Sequence, residues 1–244
     1  MMRRYEPIVA IDVASEKEAL ALMDTLKDSG EANHDMPILK IGMELYYGVG
    51  QEMVKQAKAR GFRIFLDLKL YDIPNTVRRA MAAIGRLGVD FTTIHAAGGS
   101  EMLKAGLEGL QQGAQEAHVE PAQLLAITQL TSIDEQILHE QQHVDLSLIE
   151  SVQNYARLAD ECGLAGVVCS AQEISAIREV TRDGFLCVTP GIRPAHYQKD
   201  DQKRIVTPFQ AHQLGSNAIV VGRPITQSAD PVAAYQTIRR EFIG

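Results

Sequence analysis

Short runs of apolar, β-branched residues recur along the chain: IVAID (8–12), ILKIG (38–42), IFLDLK (64–69), FTTIH (91–95), LLAIT (124–128), GVVCS (166–170), LCVTP (186–190) and AIVVG (218–222). Their near-continuous apolar character marks strands buried on both faces, as in a parallel sheet. The stretches between them repeat apolar residues at helical spacing. In residues 15–27, Ala19, Leu20, Leu22, Met23 and Leu26 make one stripe, and Ser15 with Glu18 forms a capping box at its start. Residues 44–60, 76–87, 101–112, 148–162, 171–181, 207–215 and 230–242 supply further helices. Strand and helix alternate about every 30 residues, the βα unit of a parallel sheet. Eight such units in 244 residues predict an α/β chain folded as a (β/α)8 TIM barrel, one domain over residues 1–244, rather than a doubly wound open sheet.

Polar residues break this pattern at the C-terminal ends of the strands, where barrel enzymes carry their chemistry. Asp12 closes the first strand, Lys40 lies late in the second, and Asp67 and Lys69 close the third. His95 ends the fourth, Thr128 and Thr131 follow the fifth, Arg193 follows the seventh, and Gly222-Arg223 follows the eighth. Strands alternate faces with period two, so Asp67 and Lys69 share the inner face and can neutralise each other. Asp72 follows just beyond the strand, before Pro74. A lysine flanked by two carboxylates stays protonated, which suits a proton donor or electrostatic clamp and not a Schiff-base nucleophile.

The loops after the last two strands read TPGIRP (189–194) and VVGRPI (220–225). Glycines there let backbone N–H groups approach a phosphate, and Arg193 and Arg223 can grip it; Gln202, in the loop 194–206, adds an amide donor. The polar excursion 131–147 carries His139 and His143 four apart, but lacks a third ligand at a zinc spacing and reads as a solvated helical loop.

Composition narrows the picture further. A net charge of −7 excludes nucleic acid and anionic membranes as general partners. Three cysteines, Cys162, Cys169 and Cys187, make no C-x-x-C pair and read as reduced, buried thiols of a cytoplasmic protein. The N-terminus lacks a signal-peptide pattern, and no apolar run reaches the roughly 18–20 residues of a membrane span.

The block DLKLYDIPNT (67–76), with VAID (9–12), ILKIG (38–42), QLTS (129–132), TPGIRP and VVGRPI in order, resembles the orotidine 5′-phosphate decarboxylases from residue 8 to about 240. The resemblance implies the last step of de novo UMP synthesis, decarboxylation of orotidine 5′-monophosphate by a homodimeric barrel without metal or organic cofactor. It makes Lys69 the general acid that protonates C6 and puts Asp67 beside the leaving carboxylate. Asp12 and Lys40 hold the ribose hydroxyls and the charge network, while Asp72 and Thr76 reach the ligand of the neighbouring subunit. Thr131 lies beside the pyrimidine, and Arg193, Gln202, Gly222 and Arg223 surround the phosphate. A magnesium-dependent phosphosugar barrel enzyme, such as 3-keto-gulonate 6-phosphate decarboxylase or hexulose phosphate synthase, shares the Asp-x-Lys-x-x-Asp strand. Ile73-Pro74-Asn75-Thr76 and Gly191-Ile192-Arg193-Pro194 favour the nucleotide enzyme. The intact Asp67–Lys69–Asp72 set weighs against a non-catalytic UMP sensor.

Overall fold

All eight apolar runs form parallel strands, and these close into a barrel in sequence order, with the first paired to the last. They are β1 (Ile8–Ala10), β2 (Ile38–Gly42), β3 (Arg63–Leu70), β4 (Phe91–His95), β5 (Gln123–Ile127), β6 (Gly166–Val168), β7 (Leu186–Thr189) and β8 (Ala218–Val221). Around them run α1 (Glu16–Leu26), α2 (Met43–Val49), α3 (Gln51–Ala59), α4 (Pro74–Gly85), α5 (Gly99–Glu116) and α6 (Glu135–Glu140). The remaining helices are α7 (Leu148–Glu161), α8 (Ile174–Arg178), α9 (Pro208–Gln213), α10 (Arg223–Thr226) and α11 (Pro231–Ile243). This is a computed structural model, and it describes residues 4–27, 29, 36–194 and 205–244. None of its described helices is long and apolar enough to cross a membrane.

Period-two alternation divides the core into two layers. Inward residues such as Ile38, Phe65, Phe91, Leu125 and Val188 fill the barrel, while outward ones such as Leu39, Ile64, Leu66 and Val167 meet the helices. Tyr5 closes the N-terminal end. Its ring stands edge-on to Phe91 at 5.1 Å, its hydroxyl accepts from Gln123 Nε2 at 2.9 Å, and the Arg63 guanidinium lies 5.4 Å from its centroid. The packed bottom leaves the opposite end as the open mouth.

Several expectations shift in detail. The expected helix over 44–60 breaks at Gly50, whose φ of 82° lies in the left-handed region, giving α2 and α3. The expected helix over 171–181 becomes a 3-10 turn (Ala171–Glu173) and the short α8. Ser15 accepts from Glu18 N at 3.2 Å, but the reciprocal half of the expected capping box is missing. Complete capping boxes instead start α7, the turn before α8, and α9, at Ser147/Glu150, Ser170/Glu173 and Thr207/Gln210. The excursion 131–147 contains α6, N-capped by Asp134. His139 Nε2 there lies 3.0 Å from Leu146 O.

One departure alters the logic of the site. Along β3 and β4, Leu66 pairs with Thr92 and Leu70 with Ile94, so four steps of β3 match two of β4. The extra residues form a bulge, and Lys69 takes a φ of 51° within it. Asp67 and Lys69 do meet at the mouth, yet through this bulge and not through the regular pleat that period two implies.

Helices α4 and α5 cover β3 and β4 and touch backbone to backbone. A Cβ on Gly109 would sit 2.0 Å from Arg78 O, one on Gly113 2.0 Å from Ala82 O, and one on Gly85 2.3 Å from Leu110 O. Replacing glycine by alanine inside a helix ordinarily stabilises by about 0.8–1 kcal/mol. At Gly109 the overlap with a main-chain carbonyl reverses the sign, because overpacking costs about 1–3 kcal/mol. Gly109→Ala should therefore lower the urea midpoint without changing the slope. A midpoint at or above the wild type would show that the helices can part at little cost.

Candidate active site

The site grows from the strand ends. Ala10 is the last residue of β1, and the chain continues in register so that Asp12 meets Lys40 of β2, with Nζ to Oδ1 at 2.9 Å. Gly42 leaves room for this pair. A Cβ there would lie 3.1 Å from Lys40 Nζ and 3.2 Å from Asp12 Oδ1, tighter than ordinary contact. On β3, Lys69 Nζ lies 2.7 Å from Asp67 Oδ2, and Asp67 is buried. Burying a carboxylate is costly unless it is paired and hydrogen-bonded, and Asp67 is both. Its other oxygen, Oδ1, accepts from Thr93 Oγ1 at 2.9 Å.

These pairs border one cleft with two characters. The inner part, about 190 Å³, is mostly apolar and is lined by Phe65, Ile127, Leu130 and Val168, with Asp67, Lys69 and Thr131 at its polar edge. The outer part, about 410 Å³, is lined by Asp12, Gly191, Arg193, Gly222 and Arg223. Lys40, Pro190 and Val220 border both parts, so the two adjoin. Gly191, with a φ of 77°, takes a turn that other residues rarely adopt, and this brings its peptide to the cleft wall. Arg193 is buried, and its NH1 donates to Ile192 O at 2.9 Å.

The structure thus gathers Asp12, Lys40, Asp67, Lys69, Thr131, Arg193, Gly222 and Arg223 around two adjoining cavities. Among the neighbouring hydroxyls, Thr128 donates to Val168 O at 3.2 Å and Ser132 is exposed, so Thr131 is the one on the wall. Asp72 and Thr76 are not brought there. Both are exposed; Asp72 accepts from Ile73 N at 2.6 Å and borders a separate depression with Tyr71, Pro74 and Gly98. Within the chain, Lys69 is therefore paired with Asp67, not flanked by two carboxylates. Gln202 lies outside the described residues.

Two neighbours tune the charge. His95, at the end of β4, is held below the usual imidazole range by burial and by the Lys69 charge, and its ring lies 5.6 Å from Tyr71. Its neutral form adds no second cation beside Lys69. A hydrogen bond with Cys187, and then burial, push the Cys169 thiol well above its usual range, which makes a poor nucleophile of the cysteine nearest the cavity. Among the described residues, no three His, Cys, Asp or Glu side chains are grouped to hold a metal ion.

Thr93 escaped the sequence reading. It accepts from Lys69 N at 2.9 Å while donating to Asp67. The signal was its parity: two residues before His95 and two after the inward Phe91 in FTTIH, it is a polar side chain on the inner face, between Leu125 of β5 and Asp67 of β3. Gln129 was likewise passed over. It is buried on the cavity wall just past β5, and its Nε2 donates to Gln142 of the excursion at 3.2 Å and to Ser151 of α7 at 3.0 Å.

Comparisons with known proteins identify the chain's relatives. The profile of the family described as Orotidine 5′-phosphate decarboxylase / HUMPS matches residues 6–238. A curated orotidine 5′-phosphate decarboxylase of Latilactobacillus sakei is 61% identical over 204 residues, 84% of this chain and 85% of the relative. One of Streptococcus pyogenes is 50% identical over 243 residues, with 100% of each chain covered. The crystal structure of the Lactobacillus acidophilus orotidine 5′-phosphate decarboxylase superposes with a TM-score of 0.86 at 42% identity, covering 98% of this chain and 100% of that one. With the family profile spanning almost the whole chain and half or more of the residues shared with full-length relatives, the chain belongs to the orotidine 5′-phosphate decarboxylase / HUMPS family.

Proposed function

We infer that Lys69 is the proton donor of the reaction this chain carries out, the decarboxylation of orotidine 5′-monophosphate to UMP in pyrimidine biosynthesis. The observation that carries this reading is the Lys69–Asp67 pair, 2.7 Å apart, at the polar edge of an apolar cavity that adjoins an arginine-lined cleft. The cavity suits a pyrimidine ring and the cleft suits a ribose phosphate.

As the bond from C6 to the carboxylate breaks, its electron pair stays on C6, where no π system receives it. The Lys69 ammonium stabilises that charge as it forms and then delivers a proton to it, leaving UMP, carbon dioxide and a neutral amine that solvent reprotonates. Asp67 stands beside the substrate carboxylate and fixes the ammonium. Asp12 and Lys40 hold the ribose hydroxyls, and Thr131 meets the pyrimidine edge. Arg193, Arg223, the Gly222 backbone and Gln202 bind the phosphate, whose binding energy positions and desolvates the distant ring. No step calls for a metal or organic cofactor.

Asp72 and Thr76 act across a homodimer interface in this reading. Their exposure away from the chain's own cleft supports it, as do the exposed Tyr71 and Ile73 beside them, since such apolar side chains suit a subunit contact. The three free, buried cysteines are in keeping with a cytoplasmic setting.

The direct experiment follows absorbance as purified protein consumes orotidine 5′-monophosphate in the presence of EDTA. The wild type should turn over fully, while Lys69→Ala, folded by circular dichroism, should lose almost all single-turnover product formation. Metal-dependent turnover, or a folded Lys69→Ala protein with a tenth of wild-type activity, would remove the reading.

Arg223→Ala should weaken UMP far more than uridine, because a lost charge-assisted bond to phosphate costs about 1.5–3 kcal/mol. Equal losses for both ligands would take Arg223 out of the phosphate site.

Mixing inactive Asp72→Ala and Lys69→Ala proteins should restore activity, since some mixed dimers then hold one site with both groups. If subunits demonstrably exchange and no activity returns, each site is built within one chain.

A further inference from the structure

We propose that Thr93 is a positioning residue for Lys69, holding the strained main chain of the lysine in register with the carboxylate that fixes its ammonium. This rests on the reading of Lys69 as proton donor. Left-handed backbone at a lysine is unfavourable, because Cβ crowds the following carbonyl, and such strain persists only where surroundings over-determine it. At Lys69 the φ is 51°, inside the bulge of β3.

Consecutive threonines of β4 hold the two sides of that bulge. Thr92 Oγ1 donates to Leu66 O, and Thr93 Oγ1 accepts from Lys69 N, each at 2.9 Å. Thr93 also donates to Asp67 Oδ1 at 2.9 Å, and Asp67 Oδ2 receives Lys69 Nζ at 2.7 Å. A hydroxyl has one proton and two lone pairs, so these roles are unambiguous. A closed circuit results, running from the Lys69 amide through the Thr93 hydroxyl and the Asp67 carboxylate back to the Lys69 ammonium. Thr93 is fully buried, so water does not compete for its hydroxyl. It does not line either part of the cleft, and its influence on chemistry passes through Lys69 and Asp67.

The test compares Thr93→Val, which keeps the shape without the hydroxyl, with Thr93→Ser, which keeps the hydroxyl without the methyl. Loosening a reacting group by an ångström can cost about 100-fold, so Thr93→Val should lower kcat on that order. Its dissociation constant for UMP should stay within about threefold, because uniform binding is untouched. Thr93→Ser should recover most of the lost kcat. Lys69→Ala is assayed alongside. An active Lys69→Ala protein overturns both this inference and the reading beneath it. An inactive one beside a Thr93→Val protein with near-wild-type kcat overturns this inference alone. So does a Thr93→Ser protein as impaired as Thr93→Val, or a kcat loss matched by an equal loss of UMP affinity. If Thr93→Val fails to fold, Thr93→Cys, with its weak donor, takes its place under the same criteria.

Discussion

An ammonium and a carboxylate can be kept inside a protein only where each satisfies the other, and this chain meets that constraint at the one end of the barrel that is not packed shut. Tyr5, Phe65 and Phe91 fill the bottom and middle with apolar rings. The charges begin one layer higher, with Lys69 on Asp67 and Lys40 on Asp12. Pairing carries the opposite charges into a partly buried rim without leaving either alone. The same pairing points the Lys69 head group at a cavity whose apolar walls strengthen every electrostatic interaction made within it.

In the proposed function, the two parts of the cleft divide the work along the length of the substrate. The arginine-lined outer part is the wider and more polar, which suits a group that does not react, while the narrower apolar inner part suits the ring that does. Lys40 borders both, and its bond to Asp12 ties the end of β1 to the strand next to Lys69. Binding at the far end can thereby bear on position at the near end without any element having to move.

The barrel was legible in the sequence because eight apolar runs at regular spacing leave few alternatives, and the charged rim because parity put Asp12, Lys40 and Asp67 on the inner face beyond the aliphatic layers. The bulge in β3 was not. LDLKL contains no glycine or proline to announce extra residues, and the left-handed position is filled by a lysine, a residue that seldom takes it. Gly85, Gly106, Gly109 and Gly113 stood in plain view, but their meaning depends on which helix lies opposite, which local pattern does not tell. The break at Gly50 was hidden for another reason. Helical spacing of apolar residues continues through it, with Leu45 buried on one side and Met53, Val54 and Ala57 on the other.

The backbone at position 69 has a consequence for how the enzyme can be altered by selection. Left-handed conformation costs a residue with a side chain about 1–2 kcal/mol, and glycine escapes it. Replacing a buried ion pair as a unit is often neutral or favourable, so losing the ammonium and the carboxylate together need not weaken the barrel. A library screened only for heat resistance would therefore drift toward glycine at 69 together with a neutral residue at 67. Screens for robustness in this fold must carry an activity gate, since the residue proposed as the proton donor is one that folding, left to itself, would discard.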